Sequence, residues 1–108
     1  MYAVKYHSEA EKEANALPLK IKVKYDRLIK KLELSANYLR EPDTKSLGDG
    51  LFEIRTMGSE IARGLWVYHK DKTIFMFRIF IKKSQRTPKS EFYLARKRLL
   101  ELLNDENT

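Results

Sequence analysis

The sequence predicts an α+β fold, and three features carry that expectation. Apolar residues recur at helical spacing across the first third of this 108-residue chain. Runs rich in β-branched and aromatic residues, separated by turn formers, fill the middle. Helical spacing then returns over the last twenty or so residues. The expected order is βααβββα, an antiparallel sheet with helices packed mainly on one face.

Each element has a local reason. "YAVKY" alternates in residue type and reads as a short first strand. Ser8 with Glu11 forms a capping-box pattern that opens a helix over residues 8–16. Pro18 suits the first turn of a second helix, in which Ile21, Tyr25, Leu28 and Leu32 share one side and lysines fill the other. Residues 40–50, "REPDTKSLGDG", read as a loop rich in turn formers. Strands follow at about 51–56, 61–69 and 73–82, with "TMGSE" and "HKDK" as the turns between them. Thr87 caps a final helix with Pro88 at its first position, and that helix buries Phe92, Ala95, Leu99 and Leu102 or Leu103.

Composition narrows the function. One domain spanning 1–108 is expected, with 43% hydrophobic residues to build a single core. There is no cysteine, which removes disulfides and thiolate metal sites, and two histidines give no pattern of metal ligands. No signal-peptide pattern or membrane-spanning run is visible, so a soluble cytoplasmic protein, without membrane association or cofactor, is the expectation. The net charge of +7 points to an anionic partner: nucleic acid, an acidic protein or an anionic membrane surface. The excess is local. Residues 1–44 hold nine cations and seven acids, whereas residues 78–98 hold eight cations and one acid.

Period-two alternation sorts the candidate residues. In the last strand, Phe75, Phe77, Ile79 and Ile81 form an apolar face, leaving Arg78 and Lys82 on the other. In 51–56, Phe52 and Ile54 read as core, so Glu53 and Arg55 point outward. Arg55, Arg78 and Lys82 then project from one sheet face as a surface for phosphates, or as a solvated face in which Glu53 pairs an arginine. Arg63, beside Gly64, either grips one phosphate or pairs with Glu60 or Glu53, the glycine allowing close approach. Trp66 and Tyr68 offer sheet packing or base stacking. Lys82, Lys83 and Arg86 adjoin the N-terminus of the last helix, where free amides attract an anion and cations repel, so a bound anion relieves the repulsion. Arg96, Lys97 and Arg98 read as a solvated helix face, and His7 and His69 as capping or surface residues.

The motifs "GLFEIRT" (50–56), "ARGLWVYHKDKTIFMFRIF" (62–80) and "KKSQRTPKSEFYLA" (82–95) resemble the RelE/ParE toxin superfamily, in particular its HigB-like, phage-derived branch. The likeness spans residues 2–103. It implies a RelE-like domain and a metal-independent mRNA interferase that cleaves translated mRNA on the ribosome. A cognate antitoxin, usually a helix-turn-helix DNA-binding protein, would hold it inactive. By position, the resemblance assigns Arg55 and Arg63 to phosphate contact and transition-state stabilisation, and Lys82, Lys83 and Arg86 to the active cleft. Arg78, Gln85, Lys89 and Tyr68 are the accompanying RNA contacts. Arg86 stands where lysine is common, and the C-terminal helix offers Tyr93 but no histidine, which leaves the general acid open. A lysine of lowered pKa is the leading base and Glu53 a lesser one. Two further readings keep the same basic face: a ParE-like gyrase inhibitor, and a non-catalytic nucleic-acid-binding module.

Overall fold

The computed structural model describes residues 1–82 and 86–106. Among these residues lie β1 (Ala3–Tyr6), α1 (Ser8–Asn15), α2 (Leu19–Ser35), β2 (Thr44–Gly48), β3 (Leu51–Arg55), β4 (Ile61–His69), β5 (Thr73–Lys82) and α3 (Lys89–Glu106). The sheet order is β1-β5-β4-β3-β2. β1 pairs parallel to β5, and every other pairing is antiparallel. The α+β class and the expected order of elements hold, with one strand added.

That strand, β2, falls where a loop was expected. Gly48, Asp49 and Gly50 all adopt positive φ, so "GDG" is a tight reversal that folds the preceding residues back onto β3. Lys45 and Ser46 are exposed on this edge strand, so no apolar alternation marks it in the sequence. α1 likewise opens differently from expectation. His7, not Ser8, occupies the cap, its Nδ1 accepting from the Glu9 amide at 3.1 Å. Its Nε2 bonds Glu101 on α3 at 2.9 Å.

Both sheet faces are covered. α1 and α2 bury Ala10, Ala14, Ile21, Tyr25, Leu28 and Leu32 against Ile54, Ala62, Trp66, Ile74, Met76 and Ile79. On the opposite face, Phe92, Ala95 and Leu99 of α3 pack on Leu51, Leu65, Phe75, Phe77 and Phe80. A β-bulge divides the apolar residues of β5 between these cores. Leu65 pairs Arg78 while Trp66 pairs Met76, so Phe77 is the extra residue. Phe75, Phe77 and Phe80 therefore face α3, and Ile74, Met76, Ile79 and Ile81 face the other helices. Strict alternation puts Phe77 and Ile79 together; the bulge separates them.

The bulge and the bare edge beyond it are satisfied by side chains. β1 ends opposite Met76, leaving the rest of β5 without a strand partner on that edge. Glu13 of α1 accepts from the Ile79 amide at 3.1 Å, and Arg98 of α3 donates to the Phe77 carbonyl at 2.8 Å. Arg98 also pairs with both oxygens of Glu13, at 2.8 and 2.9 Å. Arg78 bridges Glu13 at 2.6 Å and Glu91 at 2.9 Å, with its guanidinium 5.6 Å from the Phe80 ring centre. Arg78 is thus held on both sides in a structural network, with 23% of its side chain still exposed. Arg98 is also buried, so only Arg96 and Lys97 of that trio lie on an exposed helix face.

Burial alone would raise the Glu13 pKa, but the Arg98 and Ile79 hydrogen bonds and the Arg78 charge together hold it below the usual 4.5. A depressed carboxylate stabilises the fold above its unfolded pKa, and that contribution is lost as pH falls through the folded value. Glu13→Gln should therefore lower unfolding stability by about 2 kcal/mol at neutral pH, below the cost of breaking a fully buried pair because Glu13 is partly exposed. It should also flatten the acid limb of the stability profile below about pH 4.5. Urea titrations across pH, with exposed Glu9→Gln as the control, measure both effects.

Candidate functional site

Strand register builds the site at one end of the face that α3 covers. Arg55, Arg63 and Phe80 lie in register across β3, β4 and β5, and Glu53 stands two residues before Arg55 on the same face. The parity restored by the bulge gives Lys82 this face too. Glu53 is fully buried, contrary to the outward position expected from strand alternation: α3 packs on this face of the sheet and Thr87 bonds the carboxylate.

The Glu53 carboxylate organises the cluster. One oxygen accepts from Arg55 Nε and the other from the hydroxyl of Thr87. Arg63 Nη1 donates to that same hydroxyl at 3.4 Å, a long contact. Thr87 lies two residues before the observed start of α3, and its side chain binds a carboxylate on β3. "FEIR" and "RTP", far apart in sequence, are thereby parts of one structure. With both oxygens engaged and no exposed surface, Glu53 is not placed to take a proton from an incoming substrate.

The two strand arginines have unequal access. Arg63 is fully buried, whereas the Arg55 side chain retains 18% exposure. Burial pushes the Arg63 pKa down from its usual value, with the Glu53 charge opposing and the Arg55 charge adding to the shift. An arginine stays cationic under such pressure, so Arg63 supplies fixed positive charge beneath the surface. Arg55, Lys82 and Arg86 offer the accessible charge, and Lys89 is exposed at the first turn of α3. Lys83 and Gln85 lie outside the described residues.

Other expected contributors sit elsewhere. Tyr68 is on the opposite face, edge-on to Phe52 and Trp66 with centroids at 5.3 and 4.9 Å, and near Tyr2 at 5.8 Å. Trp66 is buried and stacked on Phe52 at 4.8 Å, so both rings belong to sheet packing and not to the cationic cluster. Gly64 serves that core as well: a Cβ there would meet Met76 Sδ at 2.8 Å and Ile54 Cγ1 at 3.2 Å, so the close neighbour is protein, not ligand. His69 packs against Phe75 at the far end of β4 from Arg63, and His7 caps α1. Tyr93 is exposed on α3. Sequence reasoning missed Thr87 as a site residue and treated Glu53 as exposed. The available signal was the Glu-x-Arg spacing on one strand face.

Removing one partner of this buried set strands charge. Glu53→Gln removes the buried negative charge that Arg55 and Thr87 engage and should cost about 3 kcal/mol. Thr87→Val should cost about 1–2 kcal/mol, and Thr87→Ser much less. The double variant should be less destabilised than the two losses added, because both remove the same bond. A double-mutant cycle by chemical denaturation measures this. Strictly additive losses would mean that Thr87 and Glu53 do not act together.

Comparison with known proteins agrees with this architecture. A family model described as phage-derived protein Gp49-like matches residues 12–100. No functionally curated protein sequence matches the chain significantly. Among solved structures, a double arginine-to-alanine variant of the Escherichia coli toxin RelE in the free state superposes with a TM-score of 0.65 at 16% identity, covering 90% of this chain and 96% of that one. The archaeal RelE–RelB complex of Pyrococcus horikoshii gives 0.56 at 23% identity, over 80% and 98%. The toxin–antitoxin complex RelBE2 of Mycobacterium tuberculosis gives 0.57 at 20% identity, over 75% and 98%. The chain belongs to the Gp49-like family of phage-derived proteins and is built on the RelE fold.

Proposed function

We propose that this chain is the toxin of a toxin–antitoxin pair and acts as a ribosome-dependent mRNA interferase. The observation that carries the reading is the placing of partly exposed Arg55 and exposed Lys82 and Arg86 at the end of the sheet where Thr87 joins buried Glu53 and Arg63. Such an array suits a phosphodiester: rigid donors above, fixed charge below. The RelE fold and the solved toxin–antitoxin complexes among its neighbours support the assignment and the existence of an antitoxin partner.

In this reading the ribose 2′-oxygen attacks the adjacent phosphorus, the 5′-oxygen leaves, and a 2′,3′-cyclic phosphate forms. Arg55 binds a non-bridging oxygen and stabilises the charge that grows there. Arg63 raises the local positive potential and holds Thr87 without touching substrate. Lys82 and Arg86 line the cleft. Neither histidine lies at the cluster, so efficient cleavage relies on the ribosome to orient the 2′-oxygen.

Expression without an antitoxin should arrest translation, and primer extension on translated mRNA should reveal cuts. Arg55→Ala should slow single-turnover cleavage on saturated ribosomes by on the order of 10²–10³, about 2.7–4 kcal/mol, at unchanged ribosome affinity. Lys97→Ala, on the exposed face of α3, should cleave at the parental rate. Inhibited gyrase supercoiling with intact mRNA would overturn the proposal in favour of a gyrase poison.

A further inference from the structure

Two clefts meet at the end of β3, sharing with the cluster just described only Arg55 among its named residues. One, of about 330 Å3, is lined by Glu41, Lys45, Arg55, Thr56, Met57 and Ile61 among others. The second, of about 180 Å3, is lined by Lys24, Arg27, Lys31, Asp43, Arg55 and Met57 among others. They share Arg55, Thr56 and Met57, so together they form one groove from the end of β3 to the flank of α2. Five cations line it against two acids.

α2 supplies Lys24, Arg27 and Lys31 at i, i+3 and i+7, one row along the helix at about 4.5 and 6 Å spacing by the helical rise. Part of this charge is committed. Lys31 pairs with Asp43 at 3.2 Å, and Lys24 donates to the Met57 carbonyl at 2.8 Å, passing close over Gly58. Arg27 lines the α2 cleft and Lys45 the β2 cleft, and both are exposed. Met57 is 57% exposed between the two clefts, an apolar surface set among cations. Cations in both clefts around an exposed apolar side chain are the chemistry that holds a single-stranded polynucleotide, phosphates on the cations and a base against the apolar surface.

We propose that this groove binds single-stranded RNA adjoining the phosphate held at Arg55, carrying the chain around the end of the sheet from the α3 face to α2. The proposal rests on the interferase reading for its substrate and on the shared Arg55 for its path. An acidic peptide would meet the same charges, and continuity with a phosphate site at Arg55 favours RNA.

The test is fluorescence anisotropy with an uncleavable 2′-O-methyl RNA oligonucleotide, titrated at several salt concentrations. Arg27→Glu/Lys45→Glu should weaken binding at least tenfold and reduce the magnitude of the salt slope by about 1.4, two single-strand phosphate contacts at about 0.7 each. Lys12→Glu/Lys70→Glu makes the same change in net charge at sites remote from the groove and should weaken binding less than about twofold. Should charge reversal impair folding, Arg27→Gln/Lys45→Gln against Lys12→Gln/Lys70→Gln gives the same charge-matched comparison. Equal losses in the groove and control variants would overturn the proposal. So would a groove variant that keeps parental RNA affinity but no longer binds an oligoglutamate peptide, since the occupant would then be an acidic protein. Because the probe cannot be cut, the two readings fail separately: selective loss of RNA binding in a protein that cleaves nothing retains the groove and removes the interferase.

Discussion

The bulge at Phe77 is the constraint on which the rest of the molecule depends. One extra residue shifts the alternation of β5, so its first half gives phenylalanines to the α3 core and its second half gives Phe80 and Lys82 to that same face. Without it, Lys82 would turn toward α1 and α2, away from Arg55 and Arg63. The bulge leaves backbone groups to satisfy at an edge that β1 is too short to cover. Glu13 and Arg98 meet that need, which ties α1 and α3 to opposite sides of one strand. The network that looks like an ion-pair cluster is, in its geometry, the clasp of a strand irregularity.

A second buried carboxylate works the same way at the functional end. Glu53 lies between two arginines and receives the Thr87 hydroxyl, so the entry into α3 is fixed to β3. Neighbouring cations repel, and the buried Glu53 carboxylate offsets that repulsion. The arginines differ in depth: Arg63 is fully buried, Arg55 is partly exposed, and Lys82 and Arg86 are exposed. A polyanion approaching this end meets charge in depth.

Much of the fold was legible because it is written in local periodicities. Ile21, Tyr25, Leu28 and Leu32 sit on the α2 face their spacing demands, and Phe92, Ala95 and Leu99 do the same for α3. What escaped the sequence depends on partners far apart in the chain. β2 is polar because it is an edge strand, and only its pairing with β3 reveals it. Arg78 and Arg98 look like surface cations until Glu13, more than sixty residues upstream, is brought beside them. Glu53 reads as outward on a sheet covered on one face, and its burial follows from α3 lying on the second. The buried cluster was legible in its strand arginines, and illegible in the threonine and the carboxylate that join them.

The central claim, that this end of the sheet holds a scissile phosphate, is tested most directly by a crystal structure of the protein bound to a 2′-O-methyl RNA oligonucleotide. The account predicts a phosphate within hydrogen-bond distance of the Arg55 guanidinium, flanked by Lys82 and Arg86, with the Thr87–Glu53 bond intact beneath it. RNA bound elsewhere, with no phosphate at Arg55, would contradict it.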